Sequence, residues 1–184
     1  MIRSSHTSMV SLASFFCIRI APGVGRKTRH IENDAFMQPP PTADQESHHN
    51  ALALWAADCA ERVLMNFEKE QPEDNRPRKA IDAARSWVRG ELAMIKCREA
   101  AFAAHAAARE TNRPSATFAA RAAGHAAATT HVADHARHAA AYSIKSIAAH
   151  ETQGAATNAA TDETQWQQQR GIELDVPNVA RGAS

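Results

Sequence analysis

Alanine is the residue that most constrains the fold of this chain. Of its 184 residues, 41 are alanine, and 21 of these lie within positions 101–150. A methyl group buries little apolar area, so such a chain gains less from a bulky core than from helix axes that approach to about 8 Å. Aromatic residues make up only 5% of the chain, although hydrophobic residues reach 44%. These proportions argue against most sheet architectures and favour an all-α fold.

Apolar residues recur at helical spacing from Asn50 onwards, and Asn50 is the predicted N-cap of the first helix. The buried face of that helix is predicted to comprise Leu52, Trp55, Cys59, Val63 and Phe67. A second helix is predicted to open at Pro77, with the apolar stripe Ile81, Ala84, Val88, Leu92 and Ile95. Apolar residues also lie on the opposite side of the first helix, among acidic ones. We therefore expect other helices to contact the first helix on more than one side, which would place it at the centre of the bundle.

Three further helical stretches follow. One is predicted over residues 96–110, and Asn112 and Pro114 end it. Residues 115–150 contain no proline and are predicted to form two helices joined near Thr129 and Thr130. A polar helix over 151–170 carries one large apolar anchor, Trp166. The prediction is therefore an irregular, Ala-rich helical bundle of about five to six helices.

The two ends of the chain differ from its middle. Residues 1–49 hold scattered Ser, His and Arg, three consecutive prolines and a polar run, which predict a tail that is disordered or lies before the true start, with Met1 and Met37 as the candidate start sites. Residues 50–170 are the predicted helical domain. Gly171, Pro177 and Gly182 predict a flexible C-terminal tail over 171–184.

Charge and cysteine usage exclude several classes of function. The formal net charge is +1, so the overall balance demands neither a nucleic acid nor an acidic membrane surface. The apolar run at residues 9–20 is interrupted by Ser and Arg and is too short to cross a bilayer. Three cysteines with no Cys-x-x-Cys pair argue against a disulfide framework and a structural zinc site. We therefore expect a cytoplasmic protein without a cofactor.

No residue pattern predicts catalysis. A nucleophile would have to be Cys59 beside Asp58, or Cys97 beside Glu99. Cys59 falls on the predicted buried stripe and is interpreted as a small core residue. The carboxylates of residues 68–74 crowd one helix end and are interpreted as a solvated acidic surface. The chain is predicted not to be an enzyme.

A histidine-rich segment is the sharpest local feature. His131, His135 and His138 recur at spacings of four and three, so they are expected to share one face of one helix, opposite an apolar arc that begins at Val132. A solvated polar face or a partner surface is one interpretation, and a zinc or nickel site with a further ligand from another helix is the alternative. His105 and His125 are expected to be buried and hydrogen-bonded to a neighbouring helix.

Arg78, Arg85 and Arg89 form a second candidate surface, because their spacing places them together on the face of the second helix that lies opposite its apolar stripe. Asp82 interrupts this stripe, and no aromatic residues alternate with it to stack on bases. A solvated face is therefore favoured over a nucleic-acid site.

An ordered set of short segments carries a resemblance to a known family. The segments are residues 54–64, Arg76-Pro77-Arg78-Lys79-Ala80-Ile81, Ala84-Arg85-Ser86-Trp87, Gly90-Glu91, residues 103–109, residues 122–126, Thr130-His131-Val132, Asp134-His135-Ala136, Ala141-Tyr142 and Gln165-Trp166-Gln167. In this order they resemble the immunity proteins of bacterial polymorphic toxin systems, in the helical class called immunity-five-like. The resemblance covers about residues 50–170.

The resemblance implies an all-α protein that binds and neutralises a cognate toxin in the cytoplasm of the bacterium that makes it, without catalysis. No functional residue transfers from the family. The candidate partner-binding residues are those whose charge could meet an acidic site, namely Arg78, Arg85, Arg89, His131, His135 and His138. The alternative function is that of a metal- or small-ligand-binding bundle that uses the histidine face.

Overall fold

The chain folds into α-helices throughout the part that the structure, a computed structural model, describes: residues 40–150 and 153–176. Within these ranges there are six helices and no strand. Their bounds are α1 Ala43–Glu68, α2 Arg76–Val88, α3 Met94–Glu110, α4 Pro114–Thr129, α5 His135–His150 and α6 Gln153–Glu173. The predicted all-α bundle is thereby confirmed. Most of the predicted N-terminal tail, residues 1–39, and residues 177–184 lie outside the described residues.

The first helix begins earlier than predicted. Its N-cap is Thr42, whose hydroxyl accepts a hydrogen bond from the Gln45 backbone N–H at 3.3 Å, while the Gln45 side chain accepts one from the Thr42 N–H at 2.8 Å. This reciprocal capping box satisfies two N–H groups that would otherwise lack partners. The assignment of Asn50 as N-cap was therefore wrong. The polar residues before Asn50 form the exposed first turns of α1, which extends beyond the predicted start of the domain.

The other helix boundaries lie close to those predicted from the local sequence. Pro77 lies in the first turn of α2 as predicted, since its missing N–H is not needed there. Gly90, just after α2, has φ of +74°, a left-handed conformation that suits glycine. The predicted joint between α4 and α5 is confirmed, because α4 ends at Thr129 and the Thr130 hydroxyl donates to the Ala127 carbonyl at 2.8 Å.

Helices α1 and α4 form the centre of the bundle. α1 packs against α2, α4, α5 and α6, which confirms its central position. The buried side chains of α4 are mostly alanine methyl groups, so its neighbours pack closely on several sides. The large core residues come mainly from α1 and α2, namely Trp55, Val63, Leu64, Phe67 and Ile81. Leu52 of the predicted α1 face is only partly buried.

Ile95 departs from the predicted apolar stripe of the second helix. It is 53% exposed, whereas Ile81 and Ala84 of that stripe are buried. The break at Gly90 starts a new helix with a different axis, so the helical spacing counted from Ile81 no longer applies to Ile95.

Polar contacts join α6 to the rest of the bundle. The Trp55 indole N–H donates to the Gln167 carbonyl at 2.9 Å, and the Gln167 side chain donates to the Ala140 carbonyl at 3.2 Å. The predicted anchor Trp166 packs against the core. α6 ends three residues beyond the predicted end of the domain, and Val176 after it is buried. No helix in the described residues is long and apolar enough to span a membrane.

Candidate functional site

The arginines of α2 face carboxylates of α1. Arg78 donates to Glu61 Oε1 at 2.5 Å and to Glu68 Oε1 at 2.9 Å. Arg85 donates to Glu61 Oε2 at 3.0 Å and to Asp58 Oδ1 at 2.9 Å. The prediction that these two arginines form an exposed basic stripe was therefore wrong.

Arg170 of α6 extends the same network, since its guanidinium donates to Asp58 Oδ2 at 2.9 and 3.0 Å. We call the six side chains the arginine–carboxylate ladder: Asp58, Glu61, Glu68, Arg78, Arg85 and Arg170. The ladder connects α2 and α6 across α1, and its cations are balanced by anions of the same chain. Arg89 lies outside it and pairs with Glu91 at 2.7 Å. A partner role for Arg78, Arg85 and Arg89 stays a prediction, but the charge that motivated it is already paired.

Five imidazoles from α3, α4, α5 and the α4–α5 turn lie side by side. We call His105, His125, His131, His135 and His138 the histidine cluster. His131 lies in the turn before α5, so the prediction that it shares a helix with His135 and His138 was wrong. The helix starts only at His135, because Thr130 and the residues after it form the joint. His131 and His138 are exposed as expected, whereas His135 is half-buried against α4.

His125 is the centre of the cluster. Its ring centroid lies 4.9 Å from that of His105 and 5.3 Å from those of His135 and His138. It also stacks on Tyr142 at 5.3 Å with an interplanar angle of 9°. The Nδ1 atoms of His125 and His135 are 3.2 Å apart, a hydrogen-bond distance that confirms the expected link from His125 to a neighbouring helix.

Gly124 makes room for this arrangement. A Cβ at this position would lie 2.6 Å from Cε1 and 2.7 Å from Nδ1 of His105. The His105 ring therefore lies directly against the backbone of α4, and a side chain at position 124 would displace it. The Ala-rich surroundings of both residues permit this close approach of α3 and α4.

Four imidazoles of the cluster, those of His105, His125, His131 and His135, have lowered pKa values and so favour the neutral form. Burial, followed by the charges of His105, His135 and other cations, lowers the pKa of His125 to about 3. Burial also lowers the pKa of His105, and Arg121 and Arg109 lower it further. Burial is also the main cause that lowers the pKa values of His131 and His135. At neutral pH these four imidazoles, His105, His125, His131 and His135, are therefore uncharged rings among cations.

Metal binding by His131, His135 and His138 stays a prediction. Within residues 40–150 and 153–176, no group of three or more His, Cys, Asp or Glu side chains is placed so that it could hold a metal ion. The further ligand that the prediction required from another helix would be His125, which approaches His135 most closely.

Four cations around the histidine cluster have no carboxylate partner in the described part of the chain: Arg98, Arg109, Arg121 and Lys145. Sequence reasoning missed them as site residues. For Arg109, Arg121 and Lys145 the signal was the excess of five Lys or Arg over two acidic residues within 101–150, a range that does not include Arg98. That excess does not show where the cations lie, nor that the few acidic residues nearby pair with other side chains.

Both candidate nucleophiles in the described residues are core residues. Cys59 and Cys97 are fully buried. Burial raises the pKa of the Cys59 thiol well above its ordinary value, and burial also raises that of Cys97. A protonated, enclosed thiol is a poor nucleophile. The interpretation of Cys59 as a small core residue is confirmed.

Comparison with known proteins points to one family. A family model described as Imm-5 like putative immunity protein matches residues 42–173, from the N-cap of α1 to the last residue of α6. No curated protein and no solved structure matches the chain. Since the match covers most of the chain and all six helices, this protein belongs to the Imm-5 like immunity family.

Proposed function

We propose that this protein binds a cognate bacterial toxin and neutralises it in the cytoplasm of the cell that makes the toxin, without catalysis of its own. Membership of the immunity family over residues 42–173 carries the proposal. The match includes every helix described above, so the proposal concerns the whole bundle and not a short motif.

The packing supports a binding role for the surface. Neighbouring helices are joined through buried alanines and through the arginine–carboxylate ladder, so the surface side chains stand on a preformed scaffold. A preformed surface loses less conformational entropy when a partner binds than a segment that must first fold. Inhibition by one-to-one binding needs a surface of roughly 800 Å² on each partner, which a six-helix bundle can supply.

Growth protection tests the proposal. The full chain is used to capture partners from the source cells, and each captured protein is then expressed from an inducible promoter in a second bacterial host, with and without this chain. A captured toxin should stop growth alone, and growth should be restored when the chain is present. Phe67→Asp, which puts a charge into the core, serves as the unfolded control and should not protect. If no captured protein is both toxic and silenced by the chain, the proposal fails.

Metal binding by the histidine cluster is the second candidate function. The Nδ1 atoms of His125 and His135 are 3.2 Å apart, and two nitrogen ligands of one tetrahedral zinc ion are separated by about 3.3 Å. Titration of the full chain with Zn²⁺ or Ni²⁺, followed by calorimetry, tests it. The hypothesis predicts saturable binding that is lost in His135→Ala, and an absence of saturable binding would reject it.

A further inference from the structure

We infer that the partner toxin contacts this protein on the exposed edge of α3, α4 and α5 around the histidine cluster, and that the toxin surface bound there is acidic. We call this surface the cationic face, and it comprises the histidine cluster with Arg98, Phe102, Arg109, Arg121 and Lys145. The inference rests on the proposed function and adds to it the place of binding and the chemistry of the partner.

The charge of the cationic face is not neutralised within the described chain. Residues 94–150 contain only three acidic side chains, and each pairs with another cation: Glu99 with Lys96 at 2.8 Å, Asp134 with Arg137 at 2.5 Å, and Glu110 with Arg76. Arg98, Arg109 and Arg121 are left without a carboxylate among the described residues. An acidic partner would provide the missing anions.

Arginine pairing elsewhere makes this surface distinct. The described residues contain eleven arginines, and eight of them form salt bridges: Arg62, Arg76, Arg78, Arg85, Arg89, Arg113, Arg137 and Arg170. The remaining three border the histidine cluster, since Arg109 and Arg121 lower the pKa of His105 and Arg98 lowers that of His131. Among the described residues, the arginines without a salt bridge are therefore confined to the surroundings of the histidine cluster.

Tyr142 holds two cations of this surface in place. Arg121 Nη1 lies 3.4 Å from the Tyr142 hydroxyl oxygen, and Lys145 Nζ lies 5.0 Å from the centroid of the ring. Tyr142 in turn stacks on His125. Contacts with an aromatic ring orient these cations without cancelling their charge, so they remain available to an anionic partner.

An exposed aromatic residue lies at the centre of the α3 stripe. Ile95, Arg98, Phe102, His105 and Arg109 recur at spacings of three and four and therefore share one helix face. Phe102 is 66% exposed, more than any other large apolar side chain in the described residues. An aromatic side chain flanked by cations matches the apolar centre and polar rim of a protein interface. This combination favours an acidic protein with an apolar pocket as the partner, rather than a nucleic acid.

The histidines suit such a partner as well. His105 and His125 are partly buried among cations and have lowered pKa values, so they add N–H and N groups for hydrogen bonds without adding charge at neutral pH. His131 and His138 are exposed and were already predicted as partner contacts from sequence. The arginine–carboxylate ladder offers no comparable unpaired charge, so the surface of α2 is not part of the inferred interface.

Affinity measurements on matched charge-reversal variants test the inference. The probe is the purified toxin domain that the chain silences in the growth experiment. Arg98→Glu with Arg109→Glu changes two exposed residues of the cationic face. Lys69→Glu with Lys79→Glu makes the same change in net charge at two exposed lysines, the C-cap of α1 and a residue of α2. We expect the first pair to weaken binding by about 100-fold, with a smaller dependence on salt, and the second to leave it within about twofold. Equal effects of the two pairs, or no effect of the first, would overturn the inference.

A second matched pair tests the apolar centre. Phe102→Ala should weaken toxin binding at least about tenfold, whereas Met65→Ala, which truncates a side chain 59% exposed on α1, should not change it. Circular dichroism confirms that each variant is folded before binding is measured. If wild-type chain silences the toxin but all variants bind equally, the location is wrong and the proposed function stands. If wild type silences nothing, the proposed function itself fails.

Nucleic acid is the competing occupant of a cationic surface, and the same variants address it. Wild-type chain and the Arg98→Glu, Arg109→Glu double variant are titrated with a fluorescent 20-nucleotide RNA and a DNA duplex of the same length. The inference predicts no saturable binding at physiological salt. Tight binding of either probe that the double variant loses would reassign the cationic face to nucleic acid.

Discussion

Replacing Gly124 with alanine tests the closest packing in the histidine cluster. Two effects oppose each other. Alanine in a helix interior is more favourable than glycine by about 1 kcal/mol. The new methyl group, however, would lie 2.6, 2.7 and 2.9 Å from three ring atoms of His105, so the ring must move away by about 1 Å to reach ordinary van der Waals contact.

The displacement should outweigh the gain. Moving the His105 ring disturbs its edge-to-face contact with His125, whose centroid is 4.9 Å away, and overpacking of this kind costs about 1–3 kcal/mol. We expect Gly124→Ala to lower the free energy of unfolding of the wild-type chain by about 1 kcal/mol. In a His105→Ala background the methyl group has room, and the same substitution should raise the free energy of unfolding by about 1 kcal/mol.

A double-mutant cycle measures this sign change. Urea unfolding of wild type, both single variants and the double variant, followed by circular dichroism at pH 7.5, gives four free energies of unfolding and a coupling energy near 2 kcal/mol. The reasoning is refuted if Gly124→Ala stabilises the wild-type chain by as much as it stabilises the His105→Ala chain. The ring would then not lie against the backbone of α4.

Further predictions concern buried groups. Glu163 is fully buried and pairs with Arg62 at 2.7 Å, so Glu163→Ala should lower the free energy of unfolding by about 2 kcal/mol. Asp162→Ala, at the exposed neighbouring position, should lower it by less than about 0.5 kcal/mol, and urea unfolding measures both values. The pKa of His125 lies near 3, below the unfolded value of about 6.5, so the unfolded chain binds more protons in this range. The free energy of unfolding should therefore be highest above pH 7 and lower by about 1 kcal/mol at pH 5. Thermal scans at the two pH values should show a smaller difference for His125→Gln than for the wild type. Cys59 and Cys97 should react with a thiol reagent only after denaturation, and labelling of either in the native protein would contradict their burial.

Much of the fold could be predicted from local patterns, because alanine content, helical spacing and helix-breaking residues act within a few residues. The joint at Thr129 and Thr130 and the position of Pro77 in the first turn of α2 follow this logic. The start of α1 was not predicted, because the polar residues after Thr42 resemble a tail in sequence. The capping box between Thr42 and Gln45 is what begins the helix there. Ile95 was misplaced because a break changes the helix axis, and spacing alone does not show that change.

The candidate site was harder to predict, because pairing across helices is invisible in one sequence. Arg85 was predicted to be part of a basic stripe, but it forms salt bridges with Asp58 and Glu61 of another helix. Arg98 and Arg109 were not predicted as site residues, although their charge has no carboxylate partner among the described residues. His125 was expected to be a packed histidine and is also the centre of a cluster drawn from three helices and a turn.

Titration of the toxin with this protein tests the central claim most directly. The activity of a fixed amount of purified toxin is measured while the full chain is added in known steps, at a concentration far above the dissociation constant. Neutralisation by binding predicts that activity falls in a straight line to zero at a fixed stoichiometric ratio, and that active toxin returns when the complex is denatured and the toxin refolded alone. Loss of toxin activity at a small fraction of one equivalent would contradict the account, because it requires catalytic turnover. Toxin that stays inactive after separation, while toxin treated alone regains its activity in the same procedure, would also contradict it, because it requires a lasting modification of the toxin.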